Sequence, residues 1–134
     1  MTCRTTLAEI RVVAETVYII DDDDAVRDSL KGLLELHSYD IETFSSGGDF
    51  LARCTPDLKG CVILDINLPG LDGFAVLGRL GLPCAELAVV MITAQADQAT
   101  ERRALDAGAT ALIRKPFAAD RLLALIREAL GQQG

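Results

Sequence analysis

Cys61-Val62-Ile63-Leu64-Asp65 decides the fold: four apolar residues in unbroken succession, closed by a carboxylate. An apolar run of that length without polar alternation suits a strand covered on both faces. Working outward, Val17 to Ile20 is a second such run, ending in Asp21 and Asp22, and Leu87 to Thr93 is a third. Thr110 to Arg114 reads as a further strand and is followed by Lys115. Asp40 to Phe44 alternates like an outer strand.

The intervening segments carry helical spacing and helix punctuation. Val26, Leu30, Leu33 and Leu34 recur on one face after the first strand. Ser45 and Ser46 can cap a short helix running through Arg53, and Pro56 with Asp57 then breaks the chain. A third helix is expected from Asp72 to Leu80, stopped by Gly81 and Pro83. Asp97 suits the cap of a fourth helix and Gly108 its C′ position. A fifth helix over Ala118 to Leu130 places Leu122, Leu123, Ile126 and Leu130 together, before the polar tail at residues 132–134. Strands and helices alternating five times spell an α/β domain, a parallel sheet with helices on both faces.

Length and charge bound the function. The 134 residues fit one domain with one core. Twenty acidic against thirteen basic residues leave a formal charge of -7, which repels a polyphosphate backbone and argues against direct nucleic-acid binding. No apolar run approaches the roughly 20 residues that span a bilayer, so a soluble, cytoplasmic protein is expected. Residues 1–15 are interrupted by Arg4, Glu9, Arg11 and Glu15 and lack the apolar core of a secretory signal. They read as a leader ahead of a domain over residues 16–131. Cys3, Cys54, Cys61 and Cys84 form no CxxC pair and suit a reducing compartment.

In an open parallel sheet, ligands gather at the carboxyl ends of the strands. The polar residues there are Asp21 and Asp22, Asp65, Thr93 and Lys115. Each has a structural alternative: Asp21 to Asp24 could cap a helix, Asp65 likewise, and Lys115 could sit on the surface. Three carboxylates, a hydroxyl and an ammonium at one edge are hard to explain by packing alone. Other motifs fail. The segment from Asp65 to Gly70 starts like a calcium loop, but Pro69 replaces an oxygen donor and Val76 stands where the bidentate Glu belongs. There is no GxGxxG or GxSxG, and His37, the lone histidine, falls near the end of the first helix and reads as a helix-terminal residue, which argues against a histidine-based triad or metal cluster.

Taken together, Ile19 to Arg27, Val62 to Gly73, Met91 to Ala94, Gly108-Ala109 and Lys115-Pro116-Phe117 resemble the receiver domain of bacterial two-component response regulators, most of all the nitrogen-fixation regulator class. The resemblance implies a doubly wound, flavodoxin-like sheet in the order 2-1-3-4-5. It implies that Asp65 accepts a phosphoryl group from a sensor histidine kinase or phosphotransfer protein. Mg²⁺, with Mn²⁺ as an alternative, would be held by Asp22 directly, by Asp21 mostly through water, by Asp65, and by the backbone carbonyl of Asn67. Lys115, the Thr93 hydroxyl and the Ala94 amide would hold the phosphoryl oxygens. Pro116 is expected to follow a cis bond. Such a domain is a phosphoacceptor switch rather than a metabolic enzyme, with self-catalysed phosphotransfer and slow autodephosphorylation. It would act on a partner or output domain and could dimerise through its fourth helix, fifth strand and fifth helix.

Two features depart from that family: Leu112 occupies the switch position where Tyr or Phe is usual, and the leader is long. Two other readings stand beside this one. A haloacid-dehalogenase-type phosphatase also uses a strand-end Asp and Mg²⁺, but it wants a second Asp where Asn67 lies and a cap domain for which there is no room. A degenerate receiver serving only as a binding module would lack an acid or the lysine, and here all are present.

Overall fold

The computed structural model describes residues 15–80, 86–95 and 97–131. The expected leader before Glu15, the tail, the helix stop at Gly81 and Pro83, and Cys3 and Cys84 lie outside the described residues. Five strands and five helices alternate: β1 (Thr16–Ile20), α1 (Asp24–Leu36), β2 (Asp40–Phe44), α2 (Gly47–Arg53), β3 (Gly60–Asp65), α3 (Gly73–Leu80), β4 (Leu87–Thr93), α4 (Gln98–Asp106), β5 (Ala111–Arg114) and α5 (Ala119–Ala129). All strand pairs are parallel and the order is β2-β1-β3-β4-β5, as expected.

The central strand is the most deeply covered element: all six residues of β3 are buried. Its alternate side chains enter two cores. Val62 and Leu64 join Phe50, Val76, Leu77, Leu80 and Ala104 beneath α2, α3 and α4. Cys61 and Ile63 join Leu30, Leu34, Leu122 and Ile126 beneath α1 and α5. A strand buried on both faces has no solvent side, and this is why its sequence does not alternate. The edge strand β2 has no buried residue. Across the α3/α4 junction, the Arg103 guanidinium sits 3.8 Å from the centre of the Phe74 ring, a cation–π contact that ties the two helices.

Helix starts follow their capping residues. Asp23 accepts from the backbone N–H groups of Ala25 and Val26, Ser46 from Asp49, and Asp97 from Thr100. Gly108 has φ +108°, past the end of α4. Several ends differ by one residue from expectation: β1 starts at Thr16 rather than Val17, β3 at Gly60 rather than Cys61, and α3 at Gly73 rather than Asp72. The fifth strand begins at Ala111 rather than Thr110, although the Thr110 N–H still donates to the Val89 carbonyl at 2.7 Å. The fifth helix is shorter by one residue at each end, because Ala118 and Leu130 serve as its caps, and Leu125 adds to its buried face.

Gly60 opens β3 with φ +133°, and a Cβ there would lie 2.2 Å from the Thr16 carbonyl oxygen. The two inner strands start this close together only because that residue lacks a side chain.

Complete burial pushes the Cys61 thiol up to about 12. The folded state keeps this proton while an unfolded chain releases it near pH 9.0, so Cys61 costs stability as pH rises from there toward 12. The loss amounts to at most about 1.4 kcal/mol per pH unit. Iodoacetamide at pH 8 should leave Cys61 unmodified in the folded protein and label it in denaturant. Peptide mapping that finds Cys61 alkylated without denaturant would contradict this.

Candidate functional site

The parallel register brings the polar strand ends to one edge. Ile20 pairs with Leu64, Asp65 with Ile92, and Thr93 with Arg114, so Asp21, Asp65, Thr93 and Lys115 emerge from four adjacent strands. Asp21, Asp65 and Thr93 are buried polar residues, and they sit where the two cores meet the edge of the sheet.

Lys115 joins the carboxylates. Its Nζ donates to Asp21 Oδ2 at 3.1 Å and to Asp65 Oδ2 at 3.3 Å. The other oxygen of each acid is held by backbone: the Asp23 N–H donates to Asp21 Oδ1 at 2.9 Å and the Asn67 N–H to Asp65 Oδ1 at 3.0 Å. Asp22 is exposed and lies at the mouth of the cluster. Carboxylate oxygens of Asp21, Asp22 and Asp65 fall within 4.8 Å of one another, an all-oxygen donor set of the hard type that Mg²⁺ and Mn²⁺ take. Three carboxylates facing one ammonium leave a deficit of positive charge that a divalent cation would fill.

The electrostatics of the pair follow from burial. Desolvation raises the Asp21 carboxyl above its ordinary value; the bonds from Asp23 and Lys115 oppose this, and the neighbouring Asp65 charge adds to it. For Lys115, burial works against the charge, but the hydrogen bonds and attraction of Asp21 and Asp65 outweigh it and the ammonium titrates above its ordinary value.

Thr93 stands at the right edge but faces its own loop. Its hydroxyl accepts from the Gln95 N–H at 3.1 Å and donates to the Gln95 carbonyl at 3.4 Å. Ala94 follows it and is exposed. The Lys115–Pro116 peptide is cis. Pro116, Phe117, Ala94 and the start of α1 line an open, mostly apolar cavity of about 610 Å³ beside Lys115. Leu112 is half-buried on β5 opposite Met91 and packs against the core beneath α2, α3 and α4.

The four-acid run divides its labour, which spacing alone did not separate. Asp21 enters the site, Asp22 stands at its mouth, Asp23 caps α1, and Asp24 pairs with Arg27. Arg27 and Gly73 were given no role from the sequence. The Asp24/Arg27 spacing of three residues signals the ion pair, but nothing local signals the bond from Arg27 Nη1 to the Asp21 carbonyl at 2.5 Å. Gly73, at the start of α3, packs against the Asp65 backbone so closely that a Cβ would lie 2.6 Å from the Asp65 carbonyl oxygen and 2.7 Å from Ile66 Cα.

A doubly wound sheet with this edge defines a receiver-type domain, and sequence comparison agrees. The chain belongs to the response regulator receiver domain family, whose model matches residues 17–127. It is 35% identical over 116 residues to the transcriptional regulatory protein FixJ of Azorhizobium caulinodans, covering 87% of this chain and 55% of that protein. Similarity to the response regulator protein TodT of Pseudomonas putida is 34% over 128 residues, covering 96% of this chain and 56% of TodT. The chain thus spans about half the length of these two relatives. Among solved structures, a CheY-like receiver domain protein from Methanospirillum hungatei superposes with a TM-score of 0.82 at 31% identity, covering 88% of this chain and 94% of that one. Among the described residues no helix is long and apolar enough to cross a membrane.

The bond to Lys115 lowers the Asp21 titration, so its removal must raise it. In Lys115→Met, studied in EDTA, carboxyl ¹³C NMR should place the Asp21 midpoint above that of the parent. The folded variant then holds this proton more tightly than the folded parent, so its stability relative to the parent falls as pH rises through the interval between the parent's raised folded value and the variant's still higher one. A midpoint equal to or below the parent's would show that Lys115 does not hold the carboxylate.

Proposed function

We propose that this chain accepts a phosphoryl group on Asp65 from the phosphohistidine of a sensor kinase or phosphotransfer protein, and that the modification switches a partner or output domain. The observation that carries this reading is the setting of Asp65: a buried carboxylate, pinned on one oxygen by a backbone N–H and on the other by Lys115, with Asp21 and Asp22 beside it. An Asp65 oxygen attacks phosphorus and the P–N bond breaks. The electron pair stays on the imidazole, which takes up a proton.

The chain's own residues prepare that step. Lys115 neutralises part of the charge on Asp21 and Asp65 and can pass to an incoming phosphoryl oxygen without leaving the site. The Ala94 amide and the Thr93 hydroxyl are assigned to the remaining oxygens, and Thr93 must give up its bonds with Gln95 to reach them. Asp22 directly, Asp21 mostly through water, Asp65, and the Asn67 backbone carbonyl would hold Mg²⁺ or Mn²⁺. The cation supplies charge neutralisation between the acids and the transferred group. We place the protein in the cytoplasm, with the leader over residues 1–15 and the tail at 132–134 outside the receiver unit of 16–131. We assign any self-association to the face of α4, β5 and α5. Slow autodephosphorylation would reset the switch.

Incubation with acetyl phosphate and Mg²⁺ should add one phosphoryl mass to the intact protein, and Asp65→Asn should abolish it. An adduct that persists in Asp65→Asn would overturn the assignment. A second expectation concerns the exit of the signal. Leu112 has neither the reach nor the hydroxyl of an aromatic switch residue, so Ala94, Gln95 and α4 carry the change while Leu112 packs passively. With a beryllofluoride mimic, amide exchange should change in α4 and stay nearly constant around Leu112. The reverse pattern would move the switch to β5.

A further inference from the structure

Arg27 reaches back across the loop that carries the acidic cluster. It lies in the first turn of α1, its side chain is only 15% exposed, and its Nη1 donates to the backbone carbonyl of Asp21 at 2.5 Å, six residues earlier. Nη2 pairs with Asp24. A guanidinium is the side chain suited to this, because its rigid fork binds two acceptors at once. The other groups of Asp21 are held as well: its N–H donates to the Phe44 carbonyl at 3.2 Å, and its carboxylate is bound by the Asp23 N–H and Lys115. Among the described residues, the bond from Arg27 is the one that fixes the peptide joining Asp21 to Asp22 from the α1 side.

We propose that Arg27 is a positioning residue for the divalent-cation site, resting on the reading above that Asp21, Asp22 and Asp65 hold such a cation. By gripping the Asp21 carbonyl it sets the direction in which the following residue, Asp22, leaves β1. By engaging Asp24 with its other arm it occupies the one further acid of the run that does not cap the helix. Asp23 is already committed to Ala25 and Val26. Of four consecutive carboxylates, only Asp21 and Asp22 are left facing Asp65.

The sign of the effect separates positioning from charge. A guanidinium near a cation site repels the cation, so on Coulomb grounds alone its removal tightens binding. If Arg27 positions the loop, removal weakens binding, and supporting groups around metal ligands are worth roughly 10- to 100-fold in affinity. Isothermal titration calorimetry with MgCl₂ at constant ionic strength should give an affinity for Arg27→Gln about 10-fold or more below that of the parent. Arg27→Lys, which keeps the charge and one donor, should fall between them. Parent protein that takes up no Mg²⁺ would overturn the functional reading on which this rests. Parent protein that binds, with Arg27→Gln binding equally or more tightly, would overturn the role of Arg27 alone. If Arg27→Gln does not fold, Arg27→Lys decides: affinity several-fold below the parent supports the role, and equal affinity removes it.

Discussion

One ammonium group holds the functional edge of this molecule together. Asp21 and Asp65 close neighbouring strands, both are buried, and water is too scarce there to screen their repulsion. Lys115 bonds to each, 94 and 50 residues away in the chain, and so links the ends of β1, β3 and β5. The arrangement satisfies the acids without saturating them. Three carboxylates and one ammonium leave the cluster poised to take further positive charge, and any group that draws Lys115 away must replace what it supplies.

That edge exists because of how the strands are arranged. In a parallel sheet every carboxyl end points the same way, and in this order β3 lies in the middle with β1 and β4 beside it. Two separate cores then clamp the sheet from its two faces, leaving only the strand ends open to solvent chemistry. The loops after β1 and β4 differ in how they are tied. The first is bound by helix capping, by Arg27 and by Lys115. The second is bound by the cap that Asp97 gives α4, and among the described residues the Thr93 hydroxyl bonds with Gln95 of the same loop.

Much of this was legible in the sequence. Continuous apolar runs ending in charge revealed the strands of a sheet covered on both faces, and capping residues such as Asp97 and Ser46 marked helix starts within a residue or so. That Asp21, Asp65, Thr93 and Lys115 share one edge followed from a rule about strand ends that needs no coordinates, whereas Asn67, Ala94 and Leu112 entered through the family resemblance. What could not be read was the sorting of similar groups. Asp21 to Asp24 are chemically identical in sequence, and only the turn from β1 into α1 makes one a buried acid, one an exposed acid, one a helix cap and one an ion-pair partner. The state of Thr93 was equally hidden, since whether a hydroxyl faces a site or its own loop depends on a rotamer and a turn.

Gly73 shows how narrow the tolerance of such an edge is. The atoms nearest to where its Cβ would stand belong to the backbone of Asp65 and Ile66, which cannot step aside as a flexible side chain would. Glycine is the only coded residue without a Cβ, so every missense change at this codon, however conservative by hydropathy or size, introduces the same collision. The strand that ends in Asp65 is therefore exposed to damage through a residue that carries no chemistry itself. A survey of inactivating changes in this chain should weigh that position alongside the aspartates.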